Sequence, residues 1–323
     1  MPGCGWRGDC GTPERRLRYP DERFRDSAGR ICPHALRRHE KHCEYRFGTS
    51  ITALEENGAG ISVSFDNGTV EDYELVICAE GISSSTREKV LGGQTHFRYL
   101  GAYMAFFNIP RRPEDDYWAW TVNGIGGTFI TLRPGTDTVT TVLITFLRKD
   151  LDISVDEPAA RKRLLLDALK GRGTIAHRIS TELDTVCDFY FGPMSQVQAS
   201  TWSKGRFVLL GDAAHCPTPF TGQGTALALA GAYVLAGEIK RSADHAEAFA
   251  AYERLLRPYV EATQSQLTPS LIRLTHAKTR FGIAVTRLVQ RLLASKMVQR
   301  IFKRGAAKRA SDTEKKFVLP AYS

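Results

Sequence analysis

The sequence predicts an α/β fold in which two mixed strand–helix segments flank an inserted, mostly antiparallel sheet, followed by C-terminal helices. Three observations carry this prediction. Residues 73–78 and 207–210 are short apolar runs, each followed by a glycine-bearing turn and then a helical pattern, as expected of a buried strand feeding a helix. Between them, residues 101–147 hold several runs rich in threonine and aromatic residues, which favour antiparallel strands. Beyond Gly224 the apolar residues recur at helical spacing. The 323 residues suffice for two domains with substantial cores.

In chain order, residues 1–42 read as an irregular arm, rich in Arg and Gly and interrupted by Pro2, Pro13, Pro20 and Pro33. Residues 61–65 alternate as a strand, Asp66-Asn67-Gly68 forms a hairpin turn, and 73–78 is the returning, more buried strand. A turn from Gly81 leads into a short helix ending near Val90. Strands are predicted over 103–109, 118–122, 128–132 and 138–147, a helix over 157–169 and extended chain over 189–200. Residues 207–210 form a buried strand, followed by a proline-containing loop. Helices then cover 222–240 and 243–256, with a continuation past Pro258, and a basic amphipathic stretch runs from 271 to about 303.

Composition excludes several classes. An apolar fraction of 42% with 24% charged residues is that of a globular protein, not of a disordered or fibrous chain. Seven cysteines with no leader pattern before them predict reduced thiols and a cytoplasmic protein. Residues 213–237 lack Lys, Arg, Asp and Glu, but the continuous apolar part is too short to span a bilayer. Residues 273–309 hold eleven Lys and Arg and no acidic residue, more than the net charge of +9, so the rest of the chain is close to neutral. No nucleic-acid partner is expected. The apolar face of 271–309 either packs on the chain itself or meets a membrane surface or acidic partner.

Chemistry concentrates after the strand 207–210. Gly211-Asp212-Ala213-Ala214-His215 is followed by Pro219 and by Gly222-Gln223-Gly224-Thr225. A strand here delivers Asp212 to its carboxyl end, and a helix starts on glycines, where unpaired N–H groups carry the positive end of the dipole. Such a start accepts electron-rich ligand edges, and a nearby carboxylate suits ribose-like hydroxyls. The plainer reading makes Asp212 a turn cap and the glycines a tight loop.

The joint spacing, G-D-A-A-H-x-x-x-P-x-x-G-Q-G, resembles the second FAD-binding motif of the flavin-dependent aromatic hydroxylases, the p-hydroxybenzoate hydroxylase-like monooxygenases. The resemblance implies that Asp212 holds the ribityl chain, that Gly222, Gly224 and Thr225 lie at the flavin, and that Pro219 shapes the loop beside the ring. Many members carry Asn where this chain has Ala226. Residues 78–87, Cys-Ala-Glu-Gly-Ile-Ser-Ser-Ser-Thr-Arg, are similar to the family's G-A-D-G-x-x-S-x-x-R segment, which links FAD and NADPH contacts, with Gly81, Ser84 and Arg87 in register. Cys78 and Glu80 depart from it. The segment is not a G-x-S-x-G nucleophile elbow. Arg30 faintly matches an FAD-contacting Arg of the family.

The family opens with strand, G-x-G-x-x-G and helix. Here Gly3-Cys4-Gly5-Trp6-Arg7-Gly8 matches the letters without a preceding strand or following apolar helix. The expectation is therefore an FAD/NAD(P)-binding, Rossmann-like domain, N-terminally truncated, assembled from 43–95 and 200–265. A substrate domain is inserted at 96–199, and a basic helical region follows at 266–323. The implied activity is insertion of one oxygen atom from O2 into an apolar or aromatic metabolite, through a flavin C4a-hydroperoxide with NADPH or NADH as reductant. Chemistry of that kind belongs to the cofactor, so no catalytic side chain is assigned, and His215 is taken as structural. Tyr103, Phe106, Trp118, Trp120 and Phe129 are candidates for the substrate pocket. The alternatives are an inactive metabolite- or partner-binding relative unable to hold FAD, and a gene start that omits an upstream glycine motif. Cys4, Cys10, Cys32, His34, His39, His42 and Cys43 fit no compact zinc spacing, and no metal is expected.

Overall fold

The computed structural model describes residues 43–116, 118–149, 157–186, 189–294 and 318–322. The predicted arm 1–42, and with it Arg30, the Gly3–Gly8 pattern and six of the seven candidate zinc ligands, lies outside the described residues, as does 295–309 of the basic stretch. Two compact units divide the chain: Met1–Gly48, Gly101–Pro193 and Arg273–Ala284 form the first, and Thr49–Leu100, Met194–Ile272 and Val285–Ser323 the second.

In the second unit β1 (Ile51–Glu56), β2 (Ile61–Phe65) and β3 (Val70–Tyr73) form an antiparallel meander. The predicted turn joins β2 to β3: Gly68 adopts φ +84°, and Asn67 Oδ1 accepts from the Thr69 N–H at 3.0 Å. The predicted strand 73–78 is two strands. Tyr73 ends β3 opposite Ile61, whereas β4 (Val76–Cys78) joins a different sheet. The sequence change explains the break, because Val70-Glu71-Asp72-Tyr73 is an exposed strand and Val76-Ile77-Cys78 is an apolar run suited to parallel pairing.

β11 (Phe207–Leu209) pairs parallel with β4, in the register Phe207 to Val76 and Leu209 to Cys78. Its other neighbour is β10 (Ser203–Lys204), reached through Gly205 at φ +53°. Phe207, Val208 and Leu209 are fully buried against Trp202 and two long helices, α5 (Gly224–Arg241) and α6 (His245–Ser265). Before them in the chain come α1 (Ser85–Leu91), α2 (Pro158–Leu169), α3 (Thr174–Leu183) and α4 (Asp212–His215). Leu227, Val234 and Leu235 of α5 meet the core together with Phe249, Tyr252, Leu256 and Val260 of α6. At Gly231 a Cβ would lie 3.2 Å from Leu256 and 3.3 Å from Leu210, so the missing side chain sets the close packing of α5. Tyr252 donates from its hydroxyl to the Leu209 carbonyl at 3.2 Å, tying α6 to the end of β11. Pro258 lies within α6, which continues unbroken to Ser265.

A five-stranded sheet has the order β6-β7-β8-β5-β9, comprising β5 (Thr95–Pro110), β6 (Trp120–Gly124), β7 (Thr128–Pro134), β8 (Val139–Leu147) and β9 (Tyr190–Ala199), and its residues within 101–193 form the base of the first unit. Helix α2 was expected; α3 was not, since it starts after the glycine-flanked Arg172 and opens on β-branched residues. It buries Ala176, Ile179 and Leu183 at helical spacing. Tyr103 is buried among Phe146 and Phe191, while Trp118 and Trp120 are 76% and 56% exposed, so these predicted pocket aromatics do not share one environment.

The basic stretch is two helices, not one: α7 (Pro269–Thr275) and α8 (Arg280–Ala294). Between them His276 is buried, its Nε2 2.7 Å from the Thr145 hydroxyl, and this buried contact interrupts the helical run. Of the predicted apolar face, Ile283 is buried, whereas Leu274, Val285 and Leu288 are exposed.

Asp115 organises the loop after β5. Arg178 of α3 grips both its oxygens at 2.5 and 2.7 Å, and the Thr140 hydroxyl and Arg112 N–H add bonds of 2.6 and 3.0 Å. Arg178, with Thr140 next, holds the Asp115 carboxyl far below the usual carboxylate range. Since the folded value is the depressed one, this stability is present above the unfolded value near pH ~4 and is lost as pH falls further. Replacing Asp115 by Asn should cost about 3 kcal/mol in urea unfolding at pH 7. It should also flatten the loss of stability in acid; equal acid sensitivity in both proteins would contradict the assignment.

Candidate functional site

The site starts from two strand ends that lie side by side. β4 and β11 run parallel and stop together, at Cys78 and Leu209, so the turns after them emerge at the same edge. After β4, Glu80 folds back over its own turn. Its Oε2 accepts from the Ser84 hydroxyl at 2.7 Å and the Thr86 N–H at 3.1 Å, and its Oε1 accepts from the Thr86 hydroxyl at 2.5 Å. These bonds keep Glu80 ionised and its pKa lowered although partial burial works the other way. Ser84 caps α1, accepting from the Arg87 N–H at 3.0 Å. Gly81 takes φ +80°, a conformation that disfavours any side chain, with nothing within 4 Å of where a Cβ would be.

Arg87 is 1% exposed. It donates from Nη1 to the Ala213 carbonyl at 3.0 Å and from Nη2 to the Ile82 carbonyl at 2.9 Å, and its Nε lies 3.3 Å from Glu88. The predicted residues Gly81, Arg87 and Asp212 are thereby brought together: one guanidinium joins the turn after β4 to the loop after β11.

After β11, Gly211 at φ +63° turns the chain into the single helical turn α4. Asp212 at its start is half-buried, and desolvation raises its pKa while a hydrogen bond from the Cys216 thiol lowers it. Burial, followed by the charge of Asp212, pushes the Cys216 thiol up to about 12, so it stays protonated and able to donate. Thr218, bracketed by Pro217 and Pro219, is held at φ +76° with its hydroxyl buried and without a partner among the described residues. A β-branched residue there costs on the order of 1–3 kcal/mol. Its carbonyl accepts from Thr221 N–H and Oγ1 at 3.2 and 2.9 Å, closing the 3-10 turn Pro219–Thr221.

Gly222 then takes a left-handed conformation (φ +66°) with open space where a side chain would sit, and α5 begins at Gly224 without a side-chain cap. A Cβ on Gly224 would lie 3.7 Å from Asp212 Oδ1, which puts the carboxylate beside the start of an 18-residue helix. Pro219, Gly222 and Thr225 are exposed around it. Sequence reasoning did not single out Thr218 or Cys216. The proline on either side of Thr218 was the available signal for a constrained backbone.

Compared with known proteins, residues 33–264 match the model of the family described as FAD binding domain. The chain belongs to that family. Among its relatives, a flavin-dependent monooxygenase of an unknown prokaryotic organism is 36% identical over 67% of this chain and 56% of its own length. The flavin-dependent monooxygenase eupH of a Phoma species is 34% identical over 80% of this chain and 64% of its own. The chain thus spans less than two thirds of the curated relatives it matches here. The crystal structure of tetracycline destructase Tet(55) superposes with a TM-score of 0.70 at 30% identity, over 84% of this chain and 69% of that one. Klebsiella pneumoniae HpxO, complexed with FAD and uric acid, shares the fold at a TM-score of 0.66 and 23% identity, over 86% of this chain and 70% of that one.

The residues present fit the family's cofactor on their own terms. A half-buried carboxylate acceptor, an uncapped helix start and a glycine with free space beside it answer to sugar-type hydroxyls and to an electron-rich edge approaching backbone N–H groups. No helix among the described residues is long and apolar enough to cross a membrane, and they contain no cluster of His, Cys, Asp and Glu able to hold a metal ion. Removing the guanidinium that joins the two loops should be costly. Arg87→Met leaves the Ala213 and Ile82 carbonyls without these donors and should lose about 2–4 kcal/mol in urea unfolding. An unchanged unfolding midpoint would show that the loops hold without it.

Proposed function

We propose that the chain forms the flavin-holding and substrate-bearing part of a flavin-dependent monooxygenase that inserts one atom of O2 into an apolar or aromatic small molecule, with NADPH or NADH as electron donor. The observation that carries this reading is the placement of the Asp212 carboxylate beside the uncapped glycine start of α5, in a chain of the FAD binding domain family. Relatives named as flavin-dependent monooxygenases support the reaction class. A neighbour named for its action on tetracycline and another complexed with uric acid support a ring-containing small molecule as substrate.

In this reading Asp212 accepts hydrogen bonds from the ribityl hydroxyls. The N–H groups of Gly224 and Thr225 face the electron-rich edge of the flavin, and Gly222 and Pro219 leave room for it. Gly81 offers backbone at the adjacent turn, and Arg87 positions Ala213 and so Asp212. Bound FAD would supply the electron transfer from nicotinamide to O2. The protein's share is to orient the cofactor and keep water from it.

The test is the visible spectrum and flavin content of the purified chain after incubation with FAD. Stoichiometric flavin is expected, and Asp212→Asn should weaken binding at least ~10-fold, the loss of one charge-assisted hydrogen bond. The same substitution should raise the melting temperature of the flavin-free chain at pH 7. Because the folded pKa of Asp212 is raised, its ionisation opposes folding, and the wild-type chain should gain stability as pH falls through that value. Affinity that falls while apo stability rises separates a ligand-binding carboxylate from a turn cap. A folded chain that takes up no flavin at about 100 μM FAD would overturn the proposal.

A further inference from the structure

The loop that carries Asp212 is held from outside by the last turn of α6. A helix leaves its last carbonyls without donors of its own, and α4 is a single turn ending at His215 and Cys216. Both residues are buried, so their carbonyls need partners within the protein. Gln264 is that partner. Its Nε2 donates to the Cys216 carbonyl at 3.2 Å, the His215 carbonyl at 3.3 Å and the Val197 carbonyl of β9 at 2.8 Å. Two hydrogens serve three carbonyls, so at least one is shared. The Val197 N–H returns to the Cys216 carbonyl at 3.1 Å, closing a ring of bonds through β9, α4 and α6.

Gln264 is itself fixed in place. It is 5% exposed, and its backbone carbonyl, close to the end of α6, accepts from Nε2 of the fully buried Gln196 at 2.8 Å. The far end of the loop meets the same turn of α6. Gln223 Oε1 lies 3.4 Å from the Thr263 hydroxyl, and its Nε2 lies 3.5 Å from Gln266 Oε1. The end of α6 therefore touches the chain on both sides of the turn Pro219–Thr221. All of these residues belong to the second unit.

The chemistry suits a holding role. An amide carries no net charge to desolvate, and its nitrogen only donates, which matches three acceptors. Cys216 links this contact to the site, because its carbonyl is held by Gln264 while its thiol donates to Asp212. A peptide plane fixed at the carbonyl limits where the sulfur of the same residue can reach. We infer that Gln264 is a positioning residue: by holding the His215 and Cys216 carbonyls it sets the loop, and with it the Asp212 carboxylate, in the geometry that receives the flavin ribityl chain. The inference rests on the flavin reading for the ligand, while the clamp itself stands on the protein's own bonds.

The first arm of the test needs no flavin. Backbone amide exchange of the 323-residue chain is compared with that of Gln264→Met, which is similar in length but has no donor. The Ala214 and His215 amides, bonded to Gly211 within α4, should exchange at least ~10-fold faster. Leu209 and Leu210, bonded to Trp202 and Cys78, should keep their rates. Equal acceleration at all four amides would mark a residue that only supports the fold, and would overturn the proposal. The second arm is FAD binding with the visible spectrum. Gln264→Met should bind about 10-fold more weakly, with the flavin bands displaced from their wild-type positions. Gln264→Glu separates the donor from the side-chain volume. Among carbonyls its carboxyl should keep a proton at pH 5 and donate as the amide does, and should ionise and repel them at pH 8. Its FAD affinity should match the wild type within about 2-fold at pH 5 and fall about 10-fold below it at pH 8. Where Gln264→Met fails to fold, Gln264→Glu carries the exchange comparison, with wild type measured at the same pH. Affinities of both variants within ~2-fold of wild type at either pH overturn the proposal. A wild-type chain that takes up no flavin sinks the flavin reading alone, and the contrast in amide exchange then decides the clamp.

Discussion

Arg87 is a permanently charged side chain with almost no contact with water, and its place in the second unit is tolerable because backbone carbonyls and a neighbouring carboxylate receive its hydrogen bonds. Those carbonyls belong to the two turns that leave the parallel strands β4 and β11. Each strand is three residues long, so the ladder between them is short. Side-chain burial and the Arg87 bonds must therefore fix how the two turns meet. The position of Asp212, one residue from Ala213, inherits that constraint. The site is thus an assembly of two distant sequence segments joined through one cation.

The segment after β11 shows how backbone shape is set where side chains contribute little. Gly211, Thr218 and Gly222 all take positive φ within twelve residues. Glycine takes such angles at little cost, whereas Thr218 is held there by prolines on both sides and by the turn its carbonyl closes. The strain sits shortly before the helix that starts at Gly224 without a side-chain cap, beside the Asp212 carboxylate. The bonds from Thr221 to the Thr218 carbonyl and from the Gly222 N–H to the Pro219 carbonyl close this turn on itself, so its shape is set by its own backbone.

Much of this was legible in the sequence, and the reasons for the misses are physical. The apolar run of β11, the glycines before α5 and the Asp66-Asn67-Gly68 turn each carry a local signal that tertiary structure did not overrule. The break between Tyr73 and Val76 was passed over although Glu74 marks it: one charged residue is common at the exposed end of a single strand, and only the pairing of Tyr73 with Ile61 and of Val76 with Phe207 shows that two sheets are served. α3 was hidden by its β-branched opening, which has weak helix propensity until Ile179 and Leu183 are buried. The interruption at His276 depends on a hydroxyl 131 residues away in sequence, and no local pattern encodes such a partner. At the site, the motif spacing pointed to Asp212 and the glycines. It could not reveal that Arg87 spends its donors on the protein.

Glu80 has a consequence for how such a site can change over evolutionary time. Both its oxygens are occupied within its own turn, by Ser84 and Thr86. The shape of the turn rests on Gly81 at positive φ, as that of the loop after β11 rests on Gly211 and Gly222. Recognition through main-chain groups is indifferent to most side-chain replacements nearby and sensitive to any that alter dihedral angles. Lineages can therefore diverge widely in the identity of the surrounding residues while the glycines, and the partners that hold their backbone in shape, stay under the stricter constraint.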